Sequence, residues 1–294
     1  MRKKKIRIKF SDIIIFIIVF AMIAYFVYRL NVGLNYKWNW GKIPQFLFRY
    51  DTESGKWVSN ILMHGLYNTL RLSVWGIILA TIFGTIMGMC RSGKILFFNL
   101  ISGTYVESMR NLPPLVIIYI VYFFIGDQVM PGIGLDSFIE ARSETVQGLV
   151  EFCFAKPRYI TAFFSALLTL AIFEGAYFTE IVRAGIQSIP KGQWEASYAL
   201  GLSWWQQMRF IILPQAYQRI LPPLAGQFIS LIKDSSIVSV ISIQELTFQG
   251  TELMASTFFT MEIWITITIM YLMLTLPCSL LVERVEKYMA RSLQ

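Results

Sequence analysis

GQWEASYALGLSWWQQMRFIILPQA, residues 192–216, separates two strongly apolar runs, yet it carries Glu195, Arg209 and several glutamines among small residues. Its surroundings set the class of fold. The chain has 294 residues, 55% of them hydrophobic and 15% charged, with a mean hydropathy of +0.55. That is too apolar for a soluble domain of this length. Judged by the roughly 20 apolar residues a helix needs to cross a bilayer, six spans are predicted, near 12–30, 66–89, 112–129, 160–182, 220–242 and 262–282. The fold class is therefore all-α, a polytopic integral membrane helical bundle of about six transmembrane helices.

The first apolar run, DIIIFIIVFAMIAYFVYRL, follows MRKKKIRIK as a signal peptide would. No A-x-A-like cleavage site follows it, so it reads as an uncleaved first helix. With the N-terminus inside, the inner segments hold sixteen Lys and Arg against seven outside. The first inner cluster is Arg2, Lys3, Lys4, Lys5, Arg7 and Lys9, and the second includes Arg91 and Lys94. Cytoplasmic loops carry such an excess, which places both termini and residues 190–214 on the cytoplasmic side. Topology and anionic lipid then account for the net charge of +8, and nucleic acid is not expected as a partner. Outside, Tyr36, Trp38, Trp40, Tyr50 and Trp57 suit an interfacial loop, and 128–159 reads as a loop containing a short helix.

Several chemistries are excluded. The three cysteines are odd in number and scattered, and His64 is the single histidine. No disulfide framework, metal cluster or His-dependent catalytic set can be assembled, and His64 reads as a packing or interfacial residue. The run from Gly88 to Ile95 fits G-x-x-x-x-G-K, but Ile95 stands where a phosphate loop needs Ser or Thr, and the run ends an apolar helix. Gly84 and Gly88 form a G-x-x-x-G pair suited to close helix packing. The chain is expected to bind no cofactor and to be no enzyme.

Within the opening stretch, Pro190, Lys191 and Gly192 break the preceding helix, and a short helix follows with Glu195 expected in its first turn. Ala196, Ser197 and Ala199 give that helix low relief, and Gly201 is placed to cap its end. Ser203 to Ile212 forms a second amphipathic helix, presenting Trp204, Trp205, Met208 and Ile212 on its membrane-proximal face, with Pro214 expected to close it. These features suit either a docking surface or an interfacial hairpin that braces two spans.

Glu195-Ala196-Ser197, followed by Gly201, Ile211 and Leu213-Pro214, resembles the EAA loop of ABC importer permeases, EAA-x3-G-x9-I-x-LP, with Ser197 in place of the second Ala. The wider run AYFTEIVRAGIQSIPKGQWEASYALGLSWWQQMRFIILPQA resembles the polar amino acid branch of that family, as do GLYNTLRLSV at 65–74, Tyr105-Val106-Glu107 with Arg110 and Pro113, and LPPLAGQFISLIKDSSIVSVI at 221–241. Asn111, Leu112, Pro114 and Gly226 depart from its usual pattern. The resemblance covers roughly residues 60–285. It implies a type I ABC importer-like fold in a bacterial cytoplasmic (inner) membrane, with an N-terminal helix and extracytoplasmic loop over 1–60, a transmembrane domain over 61–285 and a cytoplasmic tail over 286–294. It also implies two ATPase subunits inside, where ATP is hydrolysed, a second permease subunit, and an extracytoplasmic solute-binding protein that delivers an amino acid. Gly192, Glu195, Ala196, Ser197, Gly201 and Pro214 would then couple to the ATPase.

Ionisable groups inside the spans mark a path for solute. Glu174 and the adjacent Lys233 and Asp234 are such groups, and Lys233 and Asp234 could equally pair with each other. Glu180 and Arg183, three apart near the inner surface, read as a local ion pair or gate. The same buried charges leave a second class open, an ion-coupled secondary transporter or channel that needs no ATPase.

Overall fold

The computed structural model describes residues 10–33, 36–93 and 95–292. The basic cluster at 2–9 and Lys94 lie outside the described residues. Contacts divide the chain into two units, residues 1–40 and 41–294. The first unit contains α1 (Phe10–Gly33), with exposed apolar residues such as Ile14, Ile17 and Phe20, and an aromatic run in which Trp38 stacks on Trp40.

The second unit opens with α2 (Ile43–Leu47) and a hairpin of β1 (Phe48–Asp51) and β2 (Lys56–Ser59), antiparallel with Tyr50 opposite Trp57. Gly55 turns the hairpin at φ 65°. This small sheet is the one departure from an all-helical reading among the described residues. Then follow α3 (Ile61–Ser92), α4 (Leu96–Asn111) and α5 (Pro114–Phe124), which runs on through a π-helical turn at Ile125–Val129 into α6 (Met130–Ile133). Residues 128–159 contain more helix than expected: α6, α7 (Leu135–Glu140) and α8 (Glu144–Cys153). The chain continues through α9 (Ile160–Gln187), α10 (Lys191–Ala199), α11 (Trp204–Gln206), α12 (Leu213–Asp234), α13 (Leu246–Thr257) and α14 (Thr260–Ser292). Among the described residues five helical stretches are long and apolar enough to span: 61–92, 114–133, 157–187, 204–241 and 260–284. The expected first span is also helical, but its apolar stretch, Ile13–Tyr25, is shorter.

In α3 the usual amphipathic logic is inverted. Its buried stripe includes Gly65, Thr69, Ser73, Gly76, Ala80, Gly84 and Gly88, whereas Leu70, Val74, Ile78, Ile82 and Ile86 are exposed. Hydrocarbon solvates the branched side chains as well as a protein core would, so association is left to small residues that let backbones approach. The partner is α9, the most buried of the spanning helices. A Cβ at Gly84 would overlap Phe178 Cβ and stand 3.0 Å from the Thr179 backbone nitrogen; one at Gly88 would meet Val182 Cβ at 2.7 Å. The G-x-x-x-G pair is thus a packing device, and Gly88 belongs to this seam rather than to a phosphate loop. Next to this seam α9 meets α12, where Gly185 receives Ile220.

A second joint ties α3, α13 and α14. Glu245, fully buried, caps α13 by accepting from the Thr247 and Phe248 backbone nitrogens at 2.9 and 2.7 Å. It also accepts from the Tyr271 hydroxyl at 2.8 Å and from Thr69 at 3.4 Å. Burial pushes its carboxyl up to about 7, against these hydrogen bonds, which favour the carboxylate.

Two predictions follow from this packing. Gly84→Leu should destabilise the detergent-solubilised protein by about 1–3 kcal/mol or more through overpacking, while Ile82→Leu, on the exposed face, should not; equal melting temperatures for the two would contradict the seam. For Glu245, a folded pKa above the unfolded value means that its stabilising contribution is complete below the unfolded value near 4.5 and is lost as pH rises through about 7. The melting temperature should therefore fall between about pH 5 and 8, with a shallower fall in Glu245→Gln; parallel slopes would contradict this.

Candidate functional site

The segment at 190–214 follows α9 and leads into α12. Pro190 occupies the N-cap of α10, so the helix starts at Lys191 and Glu195 falls in its second turn rather than the first. The dipole of the N-terminal turn therefore does not explain the carboxylate. At the other end Gly201 adopts φ 73°, the left-handed conformation expected of a C-terminal glycine, and the Leu202 backbone nitrogen donates to the Ser197 carbonyl at 3.3 Å.

Trp194 anchors α10 to the core. Trp194 packs with Trp204 against the buried cluster of Ile186, Ile189, Met208, Ile212 and Ile220. Ser197 is buried, its hydroxyl donating to the Trp194 carbonyl at 2.8 Å, which explains why a small polar residue suits the position. Gly192, Glu195, Ala196 and Ala199 are exposed, and Tyr198 and Leu200 are each 77% exposed. A Cβ at Gly192 or Gly201 would meet nothing within 4 Å. The outer surface of α10 is smooth, partly apolar and uncovered.

The return path is stiff. Ser203 and Gln206 form a capping box that starts α11, a signal present in the sequence as S-x-x-Q. Met208 and Ile212 are buried, Trp204 is packed and Trp205 is 57% exposed, so the expected apolar face divides between core and surface. Pro214 does not close this helix. A π-helical stretch at Gln207–Ile212 widens the backbone ahead of it, and Pro214 sits in the first turn of α12, so helix continues to Asp234. A widened turn accommodates both the missing N–H and the ring of proline. Gln215 bonds the Gln193 side chain at 3.2 Å, and Arg219 donates to the Ser188 carbonyl, tying α12 to both sides of Pro190.

Deeper in the bundle, Glu174 is fully buried on α9, and Gln227 Nε2 of α12 donates to its Oε2 at 2.9 Å. Among the described residues its Oε1 has no hydrogen-bond partner. Gln227 also lines a cavity of about 300 Å³ with Pro114, Phe173, Tyr177, Ser230 and Asp234. Lys233 is exposed and forms no ion pair with Asp234 among the described residues, because adjacent residues on a helix point in different directions. Gln227 was not singled out from sequence. Its signal is the spacing 227, 230, 234, which lays Gln227, Ser230 and Asp234 along one face of α12. Arg110 lies over the Tyr177 ring, 5.8 Å from its centroid.

Towards the segment at 190–214, Glu180 pairs with Arg183, whose Nε lies 2.9 Å from Oε2, as the spacing suggested. It also pairs with Arg91 of α3 at 2.9 Å, and Arg91 reaches Glu107 of α4 at 3.2 Å. The pair is therefore part of a four-residue chain linking three helices. In a double-mutant cycle, Arg91→Gln with Glu180→Gln should give a stability coupling of about 0.5–3 kcal/mol. Arg91 with Glu107, a carboxylate 64% exposed, should give no more than about 1 kcal/mol; the reverse order would contradict the network.

Residues 80–294 match the family described as binding-protein-dependent transport system inner membrane component. The glutamine transport system permease protein GlnP of Escherichia coli (strain K12) is 35% identical over 229 residues, 78% of this chain and 93% of that protein. The probable glutamine ABC transporter permease protein GlnM of Bacillus subtilis (strain 168) is 32% identical over 233 residues, 79% and 95% of the two chains. The crystal structure of an amino acid ABC transporter with histidines superposes with a TM-score of 0.60 at 31% identity, covering 78% of this chain and 94% of that one. With its small-residue helix seams and its exposed EAA-type helix, the chain belongs to the binding-protein-dependent transport system inner membrane component family, as a multi-pass inner-membrane ABC permease of the polar amino acid importer type.

Proposed function

We propose that the chain forms the translocation path of an ATP-driven importer for polar amino acids, pairing with a second permease subunit and receiving solute from an extracytoplasmic binding protein. Two ATPase subunits engage residues 190–214 from the cytoplasm, and the chain itself binds no nucleotide. The observation that carries this reading is α10: a helix with Tyr198 and Leu200 each 77% exposed, yet anchored through Trp194 to the buried cluster between α9 and α12. An uncovered, smooth surface on a rigid mount suits a docking contact that passes movement inward. The names of the relatives, glutamine permeases and a glutamate/aspartate import permease, support the solute class.

Closure of the ATPase pair around ATP draws the two α10 helices together and favours the outward-facing permease; hydrolysis permits return. The coupling requires that the ATPase bind the two permease states with different affinity. Glu195, exposed on α10, supplies a charged contact at that junction. Glu174, Gln227 and Asp234 form the solute path, a buried carboxylate being suited to an α-ammonium group, and the chain of Arg91, Glu180 and Arg183 forms the inner gate. Glu195→Ala should leave the protein folded and inserted while lowering uptake and transport-linked ATP hydrolysis by at least about tenfold, within the usual range of coupling energies. Wild-type uptake in the variant would sink the proposal.

A further inference from the structure

At the end of α9 opposite the 190–214 segment, a cavity of about 460 Å³ opens between the first turns of α3, residues 151–163 and the approach to α13. That volume falls within the range of about 300–1,000 Å³ usual for small-molecule sites. His64, Asn68 and Arg71 line it from one face of α3, with Glu151, Lys156 and Gln249 from the other walls.

The charges are arranged unlike a structural ion pair. Arg71 Nε donates to the Phe152 carbonyl at 3.0 Å and Nη1 to Asn68 Oδ1 at 3.1 Å, while Asn68 donates to the Gln244 carbonyl at 2.7 Å. The guanidinium is thus fixed by two bonds, with Nη2 uncommitted among the described residues. Lys156 and Glu151 belong to none of the ion pairs among those residues. His64 lies within electrostatic reach of both Lys156 and Arg71. Arg71 and Lys156, neither in an ion pair among the described residues, both line this open cavity and match a carboxylate ligand. Glu151, which lines the same cavity, matches an ammonium group, and the Gln249 amide a polar side chain.

We propose that this cavity is a second solute site, which holds the α-carboxylate of a free amino acid on Arg71 and Lys156 and its α-ammonium on Glu151. It lies apart from the cavity lined by Gln227 and Asp234 and nearer the extracytoplasmic end of the path. The proposal rests on the reading of the chain as an amino acid permease. Nothing covalent happens there; the site concentrates and orients solute before it moves inward.

The test is equilibrium binding of radiolabelled L-glutamine to the full-length chain in lipid nanodiscs, with glutaminol, which lacks the carboxylate, as competitor. The expected result is two saturable sites per chain, one of them insensitive to glutaminol. Lys156→Gln should weaken that site about tenfold or more, the loss of one charge-assisted contact; Lys156→Arg should restore it, and Glu174→Gln should leave it intact. Unchanged binding in Lys156→Gln overturns the proposal. So does a fall in binding-protein-dependent uptake with free-solute binding intact, which would make Lys156 a docking contact for protein. If glutamine is taken up in an ATP-dependent manner but the glutaminol-insensitive site is absent, the second site fails and the transport reading stands. If glutamine, glutamate, arginine and histidine are neither bound nor taken up, the transport reading itself fails and the second site with it.

Discussion

The close approach of α3 to α9 at Gly84 and Gly88 is the constraint on which the remaining structure depends. With Phe178 and Val182 occupying the space where side chains would stand, the two helices lie near enough for Arg91 on one to reach Glu180 on the other. Beside this seam α9 also meets α12, with Phe178 touching Phe228, and α12 brings Gln227 to Glu174. In a bilayer the gain comes from packing and polar contacts, since apolar surface is as well solvated by lipid as by protein. That is why the buried face of α3 is rich in Gly, Ala, Ser and Thr beside Leu62 and Leu72, while Leu70, Val74, Ile78, Ile82 and Ile86 are exposed.

Both ends of α9 acquire their character from this arrangement. At one end, Ile186 and Ile189 form the socket into which Trp194, Met208 and Ile212 pack, so that α10 is held firmly beneath and bare above. At the other, the first turns of α3 and α9 diverge around polar side chains and leave a cavity. Glu174 stands 13 residues before the end of α9 at Gln187, about 20 Å along the helix axis, the distance over which a movement at α10 would act on the proposed solute path. The chain of Arg183, Glu180, Arg91 and Glu107 crosses three helices on the α10 side of Glu174.

The features legible in the sequence were those written in one local stretch. Five long spans emerge from hydropathy, the packing role of Gly84 and Gly88 from their spacing, the left-handed Gly201 from its place after a short helix, and the bond between Glu180 and Arg183 from being one turn apart. What stayed hidden depends on which faces meet. Glu174 and Gln227 are 53 residues apart and Arg91 and Glu180 are 89 apart; the periodicity of one helix carries no information on its neighbour. Glu195 slipped from the first turn to the second because Pro190 serves as the cap. Pro214 failed to stop a helix because a π-helical stretch, invisible in composition, absorbs it. Glu245 gave no signal as a lone carboxylate, and only the meeting of three helices makes it a joint.

The central claim, that this chain moves solute at the command of an ATPase seated on residues 190–214, is tested most directly by reconstitution. The chain and its ATPase are placed in proteoliposomes with ATP confined to the compartment that α10 faces, the solute-binding protein is supplied on the other side, and entry of labelled glutamine into the ATP compartment is measured. Transport that needs ATP and the ATPase, and that stops when either is omitted, is the predicted result. Transport by the chain alone, driven by an imposed ion gradient with no ATPase present, would contradict the account.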